Sequence, residues 1–171
     1  MHKSKWVYFI LFFYFSMIIQ PITSEYNDIS YNTKKKSSIK STTNWNGIID
    51  LDNDYIVNSS DILTIESCTE INLEQGVRLI VEGRLIVEGT TSCPVIINNQ
   101  GIGDHEGISF EALSNNKASK IENLTIKNSD YGITIFSSNP IINNLIIENP
   151  DKVGIDIYNS ATPVFENVII E

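Results

Sequence analysis

Positive charge is scarce in this chain: twelve lysines and arginines face 21 aspartates and glutamates, giving a formal net charge of −9. Arginine is confined to Arg78 and Arg84. So acidic a molecule lacks the basic patch that nucleic acid or an anionic membrane requires of a partner. Histidine occurs only as His2 and His105, too few for a His-rich zinc site. Neither the Asp-x-Asp-x-Asp-Gly run of an EF-hand nor the nonapeptide of calcium-binding β-rolls is found, so no metal site is assigned. Asp104, Asp130, Asp151 and Asp156 then read as solvated turn residues. No cofactor fingerprint is present, and no helical periodicity runs anywhere along the chain.

Long apolar runs are also missing, with one exception, Trp6–Ile19, interrupted by Ser16 and preceded by Lys3 and Lys5. It is shorter than the roughly 20 residues that span a bilayer. Basic, apolar and small-residue regions in this order make a secretory signal peptide, expected over residues 1–24 with cleavage after Ser24. Lys3 and Lys5 leave with it, so the mature chain is more acidic still, with no membrane span expected. Retention of the run as an anchor is the alternative. Residues 25–44, rich in Ser, Thr, Asn and Lys, read as a flexible polar spacer. Residues 45–60 regain apolar character and are expected to form the N-terminal cap of the folded domain. A secreted or cell-surface protein is implied.

What the chain does have is repetition. Asn-aliphatic-x-Ile occurs at Asn123, Asn144 and Asn167, a period in the low twenties. Gly-Ile-x-Ile at Gly132 and Gly154 keeps step, with a looser copy at Gly107, and so do Pro140 and Pro163. Between these markers apolar residues alternate with period two, as in strands. Upstream, Arg78–Gly83 is repeated unchanged as Arg84–Gly89. A unit of about three short strands cannot bury an apolar face alone and must stack on its neighbours. The fold expected is all-β, a parallel β-helix solenoid of about five coils over residues 61–171. Leucine-rich repeats share the period but not the consensus or the helical return segment.

Stacking assigns roles to residues. Ile121, Leu124, Ile126, Ile142, Leu145, Ile147, Phe165, Val168 and Ile170 should face inward, with Ile133/Ile135 and Ile155/Ile157 on another wall. Asn123, Asn144 and Asn167 should form a structural ladder of turn amides. Cys68 and Cys93 fall in equivalent turns of successive coils, close enough for a disulfide; two free buried thiols are the alternative. Alternation turns Thr134, Phe136, Asp156 and Tyr158 outward on one wall, where aromatic faces beside a hydroxyl and a carboxylate offer a platform for sugar rings. Ile146 and Ile169 face outward on the neighbouring wall and suit a covering loop or a protein partner.

Leu63–Glu66, Val87–Thr90 and Pro94–Ile96, together with the later Gly-Ile and Asn-Leu-x-Ile units, resemble the right-handed β-helix proteins of the pectin-lyase-like superfamily over roughly residues 48–171. The nearest branch in appearance is a group of secreted microbial surface proteins. That group often carries Trp shortly before its Gly-Ile-x-Phe strand; here His105-Glu106 stands there. The polygalacturonase motifs Asn-Thr-Asp, Asp-Asp, Gly-His-Gly and Arg-Ile-Lys are absent, and neither arginine is placed as a lyase base. No catalytic residue is assigned.

The function expected is an exported, non-catalytic β-helix scaffold, binding a polysaccharide or surface glycan or serving in adhesion. Two alternatives stand: a polysaccharide lyase or hydrolase with catalytic coils beyond residue 171, and a repeat array for protein partners. The chain stops inside a strand pattern with no cap, so a fragment of a longer protein, or pairing with a second copy, is expected.

Overall fold

The computed structural model describes residues 41–112 and 119–171; the leader and nearly all of the spacer lie outside them. The elements of the described residues are β-strands: β1 Thr42–Trp45, β2 Ile48–Leu51, β3 Tyr55–Val57, β4 Ile62–Glu66, β5 Glu70–Leu73, β6 Leu79–Val81, β7 Arg84–Glu88, β8 Val95–Asn99, β9 Ile108–Phe110, β10 Lys120–Phe136, β11 Ile141–Tyr158 and β12 Val164–Ile170. The pairings between these strands are parallel, and each joins a strand to its counterpart about one repeat later. The described residues thus form a three-walled β-solenoid of six rungs, the last reaching only two walls.

The first wall stacks β1, β4, β7 and the opening segments of β10, β11 and β12. The second stacks β2, β5, β8, the middle of β10 and β11, and the end of β12. The third stacks β3, β6, β9 and the ends of β10 and β11. β10 and β11 run through all three walls because asparagines bend them at the corners. Asn123, Asn128, Asn144 and Asn149 have φ between 50° and 55°, a left-handed conformation that Asn tolerates better than other side-chain-bearing residues.

Inside the tube like stacks on like. Ile65, Val87, Ile121 and Ile142 form one fully buried column, and Ile71, Ile97, Ile126 and Ile147 another. Phe165 and Val168 are half-buried against this core, while Ile170 is 50% exposed and Ile157 45%. Those last two point inward as alternation requires, but no described rung covers them.

The N-terminal segment differs from its expected form. Thr42–Asn44, placed with the spacer on polarity, pair with Ile62–Thr64, because ladder hydrogen bonds use the backbone whatever the side chain. Residues 45–57 complete a rung, anchored by buried Trp45 and Val57, with the Trp45 and Tyr55 rings meeting edge-on at 4.7 Å.

Candidate functional site

The corner between the first and second walls changes its chemistry along the solenoid. Gly47, with φ 73°, turns it in the first rung and Cys68, with φ 64°, in the second. Cys68 is bonded to Cys93 of the next rung, their Cα atoms 4.9 Å apart, and the Cys68 N–H donates to the Cys93 carbonyl at 3.3 Å. Stacked turns at strand spacing bring the two sulfurs together. Asn123, Asn144 and Asn167 take the corner in the later rungs. Asn167 Nδ2 donates to Asn144 Oδ1 at 3.0 Å, and Asn123 Nδ2 donates to the Gly89 carbonyl at 2.9 Å. A Cβ on Gly89 would lie 2.1 Å from the Asn123 carbonyl oxygen, so glycine alone permits that approach.

At this corner the third rung bulges outward as the loop of residues 89–94. Thr90, Thr91 and Pro94 thereby wall a groove of about 270 Å³ whose floor includes Asn123, Asn144, Asn167, Ile146 and Ile169. Among the described residues no charged side chain lines it. Ile169 is 53% exposed, and Ile146 is half-buried beside it in register. Strand alternation shows that the two isoleucines face outward; it does not show the loop, whose role depends on an insertion between strands.

The outward wall residues also come together. Thr134 stands beside Asp156 and Phe136 beside Tyr158, each pair one rung apart. Phe136 is 41% exposed and Tyr158 47%, and Thr134 and Asp156 are half-buried. The Tyr158 hydroxyl donates to Asp156 Oδ2, and that bond to a carboxylate holds the phenol pKa above its ordinary value. One rung earlier Ser109, in register with Thr134, donates to Glu111 at 2.8 Å. Hydroxyl–carboxylate pairs two residues apart thus recur on this wall.

A second polar cluster lies at the corner between the second and third walls. His105 is fully buried; its Nδ1 accepts the Gly107 N–H at 2.9 Å and its Nε2 donates to the Lys127 carbonyl at 3.0 Å. Burial pushes its pKa below the ordinary value, opposed by the Lys127 carbonyl and by Asp104 and Asp130. The Asp104, Asp130 and Asp151 carboxylates come within 4.8 Å of one another. The Lys152 ammonium sits 2.6 Å from Asp130 Oδ2 and 5.4 Å from the centre of the Tyr131 ring. Asn128 Nδ2 reaches back to Asn98 Oδ1 at 2.9 Å, so this corner carries its own amide contact. The equal spacing of Asn128/Asn149 and Asn123/Asn144 was the signal for a second asparagine column.

Arg78 is held between Asp54 and Glu106, at 4.0 and 3.9 Å. Among the described residues no helix is long and apolar enough to cross a membrane.

Parallel rungs with inward aliphatic columns and turn-borne polar clusters define a parallel β-helix repeat protein. The chain belongs to the NosD family: the model for that family, described as "Periplasmic copper-binding protein (NosD)", matches residues 12–171. The family is periplasmic by that description, which makes this an exported β-helix protein. No curated protein and no solved structure matches the chain.

Proposed function

We propose that the protein is an exported, non-catalytic β-helix scaffold that binds a neutral glycan on its third wall. The observation that carries this reading is the in-register pair Phe136 and Tyr158, exposed side by side with Thr134 and Asp156 next to them. Rungs about 4.8 Å apart set two aromatic rings at a distance that one sugar residue can cover. The apolar face of the sugar would lie on the rings and its hydroxyls on Thr134 and Asp156. A net charge of −9 makes an anionic polysaccharide the poorer ligand.

A glycan array, with calorimetry on the hits, tests the reading. Wild type should bind neutral saccharides, and the Phe136→Ala/Tyr158→Ala double variant should lose at least about tenfold in affinity, the equivalent of about 1.4 kcal/mol, with an unchanged far-UV circular dichroism spectrum. A wild type that binds nothing on the array ends the proposal.

A second reading is favoured by the groove beside the asparagine column. Its amide, hydroxyl and isoleucine lining bears no charge although the chain is strongly acidic, which suits an uncharged stretch of a protein partner at Ile146 and Ile169. The copper in the family's description finds no matching donor set among the described residues.

A further inference from the structure

Copper is selected by thiolate, thioether and imidazole donors, and the whole sequence contains two cysteines, two methionines and two histidines. Met1, Met17 and His2 all fall within the leader expected over residues 1–24. That leaves Cys68, Cys93 and His105 on the solenoid.

Each of the three is committed. The cysteines are bonded to each other, so neither offers a thiolate. His105 is fully buried with Nδ1 taken by the Gly107 N–H and Nε2 by the Lys127 carbonyl. Gly107 cannot easily withdraw: its φ is 65°, and its backbone packs so closely on the next rung that a Cβ would lie 2.2 Å from the carbonyl oxygens of Tyr131 and Gly132. Freeing either imidazole nitrogen would therefore break a bond inside a tightly packed corner. The remaining cluster, Asp104, Asp130 and Asp151, supplies carboxylate oxygens alone, a set suited to hard cations. The Lys152 ammonium already neutralises Asp130.

We infer that the folded, oxidised solenoid of this family member does not hold copper, and that the Cys68–Cys93 bond closes the one place among the described residues where two soft donors meet. Glycan binding on the third wall neither requires nor excludes this closure.

The test uses the full chain in a His2→Ala/Met17→Leu background, which leaves the Met1 thioether as the leader's one soft side-chain donor. Oxidised protein is equilibrated with Cu(II), or with Cu(I) under argon, in competition with a chromogenic chelator, and retained metal is measured by atomic absorption. Retention below about a tenth of an equivalent is expected. Near-stoichiometric retention by the oxidised chain, above all retention lost on His105→Gln with circular dichroism unchanged, would overturn the inference. Reduction is the internal control. A dithiol supplies two electrons and two protons, the S–S bond breaks, two thiols form, and the reductant leaves as its own disulfide. Uptake of about one Cu(I) by the desalted, still β-structured chain, abolished by Cys68→Ser, supports the bond as the closure. No uptake by that chain would overturn this assignment.

Discussion

His105 shows how a single side chain can look like a functional group and act as a clasp. It ties the turn before β9 to the corner of β10 by donating from one nitrogen and accepting at the other. The bond from the Gly107 N–H needs the neutral ring, whereas the one to the Lys127 carbonyl survives protonation. Burial, the largest influence, lowers its folded pKa, so between the ordinary value near 6.5 and the folded value the unfolded chain binds more protons, and stability falls as pH falls. Asp104, Asp130, Glu106 and Lys152 surround this corner, and the first two oppose the shift. Urea unfolding at about pH 7 and about pH 5 should show His105→Gln losing less stability on acidification than wild type. Gln offers an acceptor and a donor without titrating. Equal losses in the two proteins would remove His105 as the source of that pH dependence.

At the scale of the strand and its corner, left-handed asparagines convert two long strands into three walls each. Asn144 has φ 54° and accepts from Asn167. Glycine adopts that φ freely, whereas alanine is strained there by about 1–2 kcal/mol. Asn144→Gly should therefore unfold at a higher urea concentration than Asn144→Ala. The reverse order would mean that the backbone angle is not what asparagine supplies. This corner also marks the boundary of what the sequence made legible. The columns Ile121/Ile142 and Ile126/Ile147 came from alternation plus period, because burial inside a stacked tube leaves few other choices. The strand at Thr42–Asn44 did not, since backbone pairing of polar residues leaves no apolar trace. Nor did the groove wall at Thr90, Thr91 and Pro94, because a loop's position depends on the three-dimensional path of the chain. The row of Thr134, Phe136, Asp156 and Tyr158 was legible as outward positions; its chemistry toward a ligand lies beyond periodicity.

In the solenoid as a whole, six rungs share one core, and each rung touches only its neighbours. Stability is then distributed unevenly, because the second and third rungs are also joined through Cys68 and Cys93, 25 residues apart in sequence. Closing a loop of that length stabilises by roughly 3 kcal/mol on the chain-entropy account. The Cys68→Ser/Cys93→Ser double variant should shift the urea midpoint down accordingly, with Phe136 and Tyr158 still in register. A midpoint unchanged within error would mean that the stacked strands alone carry those rungs.

The same corner column has a mechanical consequence. A molecule pulled from its C-terminal side would surrender the asparagine-cornered coils one after another, each released by unzipping its own backbone pairs. The stretch from Cys68 to Cys93 would add nothing to the yield, because the covalent link removes that length from the extensible contour until it is cut. Tension arriving from that side is thus dissipated first in a sacrificial portion, and then passes through the staple rather than along the loop it closes.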